Sequence, residues 1–472
     1  MYKEKISAWV DAHREEMIED IKKLVRIKSD KEPPIGDMPY GEGPAKALAE
    51  ALNIAEGYGF TTRNYENYVG TVDFLPENDH HLDILSHLDV VPVADGWTVT
   101  APFDPVVVDG KLYGRGTSDD KGPSVAALYA ARCVKELGIP LKHNVRLIWG
   151  CDEECGSTDI EYYFKREPNA KYTFSPDAEF PLINIEKGGF HGEIVAEFPE
   201  SDALPRVLSM KSGMKINVVP DKCTMVIEGM RKTVAEIYCA GVKEKTGVDF
   251  SIEKTGENTI TIEAQGAGAH AASPFDGNNA LTASLQLIAS MHLMPCKQFT
   301  ALCNLAELFP HGDYLGAGLG VNMSDEESGE LTLSPDIIEV TTTSLSLQFD
   351  SRFPICATDE NLRQVAKKNC EEKGLTLVDH PMRPPHHVPA DSPFIKTLLG
   401  AYEKYTGATG SKPIAIGGGT YVHEIENGVA FGCTMPGTDN RMHGNDEFAV
   451  VEELVTSAKI FADVIVTLCT EE

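Results

Sequence analysis

HLDILSHLDVV at residues 81–91 and NVRLIWG at 144–150 are apolar runs, and GPSVAALYAARCVKELG at 122–138, between them, repeats its apolar residues at helical spacing before a final glycine. Unbroken apolar runs suit strands covered on both faces, and a trailing glycine suits a helix end. Strand, helix, strand in that order predicts an α/β architecture, a mixed but mainly parallel sheet with helices on both faces. Upstream, Trp9, Ile18, Ile21, Leu24 and Val25 fall on one stripe of residues 8–28, which predicts one amphipathic helix packed on that sheet.

After about residue 186 the texture changes. KCTMVIEGM, NTITIEAQG and TTTSLSLQFDSRF alternate polar with apolar residues, as strands with one wet face do. From roughly Asp391 the chain returns to helix and buried strand, in SPFIKTLLGAYEKYTG and VAFGCTMPG. That order predicts an α+β domain, 187–383, inserted into an α/β domain formed by 1–186 and 384–472. The insert is long enough for two subdomains, and 472 residues agree with two to three domains in all.

Lys and Arg number 42 against 72 Asp and Glu, a formal net charge of −30 that repels nucleic acid and anionic lipid. No apolar run reaches 18 residues, and the charged N-terminal segment MYKEKISAWVDAHREEMIEDIKKLV has no apolar signal core. The expectation is a cytoplasmic protein with neither a membrane nor a nucleic-acid partner. Eleven cysteines, with paired spacing only at Cys151 and Cys155, read as reduced thiols.

Chemistry concentrates at the carboxyl ends of the expected strands, where open α/β sheets bind ligands. His87 and Asp89 alternate onto one face, so the carboxylate can fix the imidazole's tautomer; alone, such a pair is more often structural. GRGTSDDKGP carries Asp119 and Asp120 in a glycine-rich turn before a helix, where they suit either helix caps or a bridging metal ligand and its neighbour. WGCDEECGS places Glu153 and Glu154 just past a strand, so one can bind metal while the other faces water. Asp177 in FSPDAEF and His443 in PGTDNRMHGNDEF occupy the same kind of position, although a lone loop histidine is usually only a surface residue. Asp119, Glu154 and Asp177 with one hydroxide supply the negative charge that two divalent ions neutralise. Imidazole and carboxylate without thiolate suit a catalytic pair of Zn2+, Mn2+ or Co2+ ions, Zn2+ first.

HLDVVP, GRGTSDDKG, CDEECGS, SPDAEF, GAGAHAASPFDGNNA, DSRFP and the His443 loop resemble, in order, the motifs of the M20 family of metallopeptidases. The length and the GGGTY turn resemble its PepV-type, carnosinase-like dipeptidases. The resemblance implies two ions bridged by Asp119, with His87 and Asp177 completing one and Glu154 and His443 the other. It also implies Glu153 as general base for a hydroxide formed between the ions, and Asp89 as the residue that orients His87. In the inserted lid domain, His270 would meet the substrate carbonyl, Asn217 the scissile amide region and Arg352 the substrate carboxylate. Gly418, Gly419 and Thr420 of the GGGTY turn would present backbone to the anionic end. One departure stands out: many relatives carry arginine shortly after that turn, where this chain has Val422 and His423. Dimeric relatives have a lid about half as large and borrow the histidine from a partner, so a monomer is expected here. The expected substrate is a dipeptide with a free C-terminal carboxylate. Rival readings are an N-acyl amino acid deacylase of the same family and a non-catalytic metal-bound interaction protein.

Overall fold

HLDILSH folds as the buried strand His80–His87, paired in parallel with Asn144–Gly150 on one side and Tyr172–Ser175 on the other. The computed structural model describes residues 2–470. The chain divides into an outer unit, comprising the chain up to Ile185, His386–Ile414 and the chain from Gly419 onward, and an inserted unit, comprising Glu186–Pro385 and Ala415–Gly418.

Both units are mixed α and β. In the outer unit the sheet runs Thr61–Tyr65, Val69–Asp73, Asn144–Gly150, His80–His87, Tyr172–Ser175, Gly428–Ala430, Ile183–Glu186, His386–His387. Parallel pairing joins its four central strands, from Asn144–Gly150 to Gly428–Ala430. Thr61–Tyr65 and Val69–Asp73 join antiparallel on one flank, and Ile183–Glu186 is antiparallel on the other. The first of these pairs is a hairpin whose turn holds Glu66 and Asn67 at positive φ, a connection too short for a parallel crossover.

The unbroken apolar runs are explained by cover on both sheet faces. Ile84 and Leu147 join the large core beneath helices Lys121–Glu136 and Val451–Thr470, while Leu85 and Ile148 pack against Ile160, Tyr163 and Tyr421 on the opposite face. Every residue from Lys121 to Val134 is buried, because that helix is covered all round. It ends before Gly138, which takes the left-handed conformation expected of a terminating glycine.

The single N-terminal helix expected over 8–28 is instead two, Lys3–Ala12 and Arg14–Val25, broken at His13. The His13 ring stacks on Trp9 at 3.8 Å, and its Nδ1 donates to the Trp9 carbonyl at 2.7 Å, sharing an acceptor of the helix backbone. Buried Ile6 and Val10 lie on the first helix, and Met17, Ile18, Ile21, Leu24 and Val25 on the second.

The inserted unit is built on one antiparallel sheet, in the order Asp249–Lys254, Thr259–Gln265, Lys222–Glu228, Arg206–Ser212, Thr332–Val340, Ser344–Phe353, Gly188–Glu197, Thr376–Leu377. Its two four-strand halves meet through only Met210↔Val340, Lys211↔Glu339 and Ser212↔Ile338. Phe190, Ile194, Leu347 and Phe349 point to the core, leaving the alternate residues of those strands on the other face. Where the chain leaves and re-enters the outer unit, the Asn184 side chain donates to the Val388 carbonyl at 2.7 Å, and the Val388 N–H donates to the Asn184 carbonyl at 2.9 Å.

Gly150 ends the strand that delivers the acidic turn. A Cβ there would lie 2.0 Å from Tyr421 Oη and 2.4 Å from Asp159 Oδ2, both buried. Gly150→Ala should therefore lower stability by about 1–3 kcal/mol, the usual penalty of an overpacked core, read as a lower thermal unfolding midpoint.

Candidate metal centre

His87, the last residue of its strand, is fully buried. Its Nε2 lies 2.8 Å from Asp119 Oδ1 and 3.5 Å from Asp177 Oδ2. Its Nδ1 faces the Asp89 carbonyl at 3.1 Å and Asp89 Oδ1 at 3.4 Å. A carbonyl can only accept, so Nδ1 carries the proton and Nε2 is left as a ligand atom. The second oxygen of Asp119, Oδ2, sits 2.9 Å from His443 Nε2, which is 3.2 Å from Glu154 Oε1.

The result is two triads, His87–Asp119–Asp177 and Asp119–Glu154–His443, each with ligand atoms within 4.8 Å of one another. Ligands about 2.1 Å from one ion at tetrahedral angles lie ~3.4 Å apart, so these spacings fit a divalent metal. Glu154 Oε1 is buried with His443 Nε2 at 3.2 Å beside it and no well-aligned hydrogen bond, which suits a ligand atom for a cation. Neither triad contains a thiolate, and all eleven cysteines are free.

The Asp89 carboxylate accepts the backbone N–H groups of Glu153 and Glu154, each at 3.1 Å. It thereby caps the short turn Glu153–Cys155 and registers both glutamates against the histidine. Neither Asp119 nor Asp120 caps the helix after them. Asp120 sits at the N-cap without a capping bond and accepts instead from the His87 N–H at 3.0 Å.

The electrostatics follow from carboxylates crowded away from water. Burial pushes Glu153 well above the usual carboxylate range and Glu154 up to about 7, with Asp119's charge adding to Glu154's rise. Burial also opposes ionisation of Asp119, but bonds from His443 and His87 more than offset it and hold Asp119 low. His443 is raised to about 10 by Asp119 and then Glu154. Protons on the two imidazoles and a pair of divalent ions are alternative ways to meet the same carboxylate charge.

Several residues that hold the site carried no motif of their own. Arg115 and Glu447 form a buried pair, 2 % and 0 % exposed. Arg115 Nη1 donates to Glu447, and Arg115 Nη2 donates to the carbonyls of His443 and Gly444 at 3.2 and 3.0 Å. Glu447 Oε1 accepts the N–H groups of Gly116, Ser118 and Asp119. One ion pair thus ties the Asp119 turn to the His443 loop, whose histidine is held at positive φ. Asp159 likewise accepts the N–H groups of Cys151 and Asp152 and the hydroxyl of Tyr421. The legible signal was a lone arginine among glycines in GRG and an acid in HGNDEF, too common alone to single out.

The inserted unit carries Asn217, His270, Arg352 and Gly418 of the other expected site residues. Val218↔His270 pairing and the Ala271 N–H to Asn217 carbonyl bond at 3.0 Å bring Asn217 and His270 side by side. His270 Nδ1 accepts the Ala272 N–H at 3.0 Å, so in the neutral ring Nε2 is the donor. Arg352 is clamped by Asp350, through Nε at 3.0 Å and Nη2 at 2.8 Å, and Nη1 donates to the Gly417 carbonyl at 3.0 Å. A Cβ on Gly417 would stand 3.2 Å from Ala272 Cβ, so this glycine also touches the His270 segment. Gly418 is the last residue of the inserted unit, and Gly419 begins the closing stretch of the outer one. Thr420 caps the turn Tyr421–Glu424 by accepting the Val422 N–H at 3.3 Å. His423, in that turn, is buried with its ring 6.0 Å from that of His386.

Comparison with known proteins places these features in context. The profile of Peptidase family M20/M25/M40 matches residues 84–467. The Beta-Ala-Xaa dipeptidase of Lactobacillus delbrueckii subsp. lactis is 34% identical over 467 residues, spanning 98% of each chain. Among solved structures, human carnosine dipeptidase 1 aligns with a TM-score of 0.58 at 16% identity, over 100% of this chain and 99% of that one. The di-peptidase Dug1p of Saccharomyces cerevisiae aligns with a TM-score of 0.56 at 13% identity, over 99% of both chains. At such identities these two likenesses concern the fold.

Arg115→Met would leave Glu447 a buried, uncompensated carboxylate, with an expected loss of about 3–5 kcal/mol, whereas Arg115→Lys, which keeps the charge, should lose less. Thermal unfolding of the two variants beside the wild type checks the order.

Proposed function

The chain belongs to peptidase family M20/M25/M40 and is a metallopeptidase, and from that premise we propose that it hydrolyses the peptide bond of dipeptides with a free C-terminal carboxylate. The observation that carries the reading is Asp119, which offers one oxygen to each of two ligand triads. The dipeptidase name of the Lactobacillus relative, at 34% identity over 98% of both chains, supports the substrate class.

In this reading His87, Asp119 and Asp177 would hold one divalent ion and Asp119, Glu154 and His443 a second. Zn2+ suits the imidazole and carboxylate donors best, and Mn2+ or Co2+ accept the same set. Bound ions of this kind polarise the scissile carbonyl and acidify a water.

Glu153 receives the proton of the attacking water and passes it to the leaving amine, a role its buried, readily protonated carboxyl suits. Asp89 fixes the turn from which Glu153 projects. His270, with Nε2 as its donor, stabilises charge on the carbonyl oxygen. Asn217 holds the amide region. Arg352 has spent Nε, one Nη2 N–H and one Nη1 N–H internally, leaving one N–H on each terminal nitrogen for the substrate carboxylate. Backbone at Gly418, Gly419 and Thr420 faces the same anionic end. The enzyme works as a monomer that supplies His270 from its own chain, and its free thiols suit a reducing, cytoplasmic setting.

Glu153→Ala should keep two ions per chain by atomic emission while turnover falls ~10²–10⁴-fold; wild-type rates in that variant would remove Glu153 as the base. Amidating the C-terminus of a dipeptide should lower kcat/KM at least about tenfold, the loss of one charge-assisted contact. Equal hydrolysis of both forms would remove Arg352 from its role. An obligate dimer in sedimentation velocity would contradict the monomer.

A further inference from the structure

The face of the inserted sheet turned away from its core carries a row of which the catalytic reading uses only Arg352. Gly189 pairs with Arg352 on one neighbouring strand and forms an isolated bridge with Arg383 on the other side. Directly paired residues point to one face, so both arginines flank the bare Cα of Gly189, with their own Cα atoms roughly 10 Å apart at two strand spacings. A Cβ on Gly189 would find its first neighbour, Arg383 Cβ, only at 4.0 Å, so the floor between the arginines is open.

This row borders a cavity of about 490 Å³, lined among others by Lys187, His191, Glu193, Arg352, His380 and Arg383. That volume falls in the range of about 300–1,000 Å³ typical of small-molecule sites. Three basic side chains, Lys187, Arg352 and Arg383, line it against one carboxylate, Glu193, which is already held by the Ser346 hydroxyl at 2.9 Å and faced by His380 Nε2 at 3.3 Å. Asp350, in the next row, is taken up by Arg352. The Lys187 ammonium donates to a carbonyl, that of Glu330, rather than to a carboxylate. In a chain of formal net charge −30, such a gathering of cations around an open floor runs against composition and marks a place for an anion.

We propose that this cavity receives a carboxylate-bearing side chain, so that the enzyme favours dipeptides whose C-terminal residue is glutamate or aspartate. The inference rests on the dipeptidase reading, in which Arg352 takes the C-terminal carboxylate; Arg383 and Lys187 then take the second one across the Gly189 floor. Glutamine and asparagine, equal in shape but uncharged, are the discriminating controls.

The test measures kcat/KM for Ala-Glu and Ala-Gln on the metal-loaded full-length protein, together with calorimetric binding of free glutamate and glutamine. The expected result is at least a tenfold preference for the acidic member in both assays, with Arg383→Gln and Lys187→Gln each shrinking both ratios several-fold and Arg383→Lys retaining most of them. Ratios of one or below, or ratios that neither neutralising variant changes, overturn the proposal. If neither dipeptide is cleaved, it is the dipeptidase reading that has failed, and the glutamate-to-glutamine binding ratio still decides the cavity.

Discussion

Like charge held at close range and away from water is the constraint around which the outer unit is organised. Asp119, Glu153, Glu154 and Asp177 converge on two imidazoles, and burial alone would drive such carboxyls to take up protons. The surrounding acids are treated differently. Asp89, Asp159 and Glu447 each collect backbone N–H groups, and Glu447 has an arginine as well. No described hydrogen bond brings a backbone N–H to the four inner carboxylates. The acids behind are satisfied by the chain, and those in front are left to the two imidazoles and to one another.

Much of this was legible because strand ends have a local signature. HLDILSH and NVRLIWG carry apolar residues on both sides, Ile84 and Leu147 on one and Leu85 and Ile148 on the other, so they had to be covered on both faces, and the acidic and histidine-bearing turns after them had to emerge at one edge of a sheet. The N-terminal break was not legible, since nothing in WVDAHREE interrupts helical periodicity; it comes from His13 sharing the Trp9 carbonyl. The antiparallel flanks were also hidden, because a run such as VGTVD is apolar whichever way its neighbour points. The Arg115–Glu447 pair was illegible for another reason: its partners are far apart in the chain, and only folding shows that neither meets solvent. For His270 and Asn217 the family motifs supplied the expectation, and the short pairing of Val218 with His270 supplies the proximity.

The inserted unit answers to a different rule. Its sheet has one face committed to Phe190, Ile194, Leu347 and Phe349 and another on which polar groups such as His191, Glu193, Gln348, Asp350 and Arg352 stand row by row. Arg352 shows how tightly such a group can be held, with Asp350 two residues away gripping it bidentately while a glycine carbonyl takes a third N–H. A guanidinium so restrained keeps its remaining donors in fixed directions, which is what recognition of a planar carboxylate asks of it.

The clasp between Asn184 and Val388 gives the inserted unit a particular standing. Because these residues bond reciprocally on the outer unit's own sheet, the entry and exit of the long excursion are closed by the outer unit itself, and the entropy of joining its ends is met there rather than by the excursion. In evolutionary terms the excursion behaves as a graft on a finished stem: it can lengthen, shorten or be exchanged without re-threading the strands of the outer sheet. Change can accumulate in one part of the gene while the buried acids and imidazoles stay put in another.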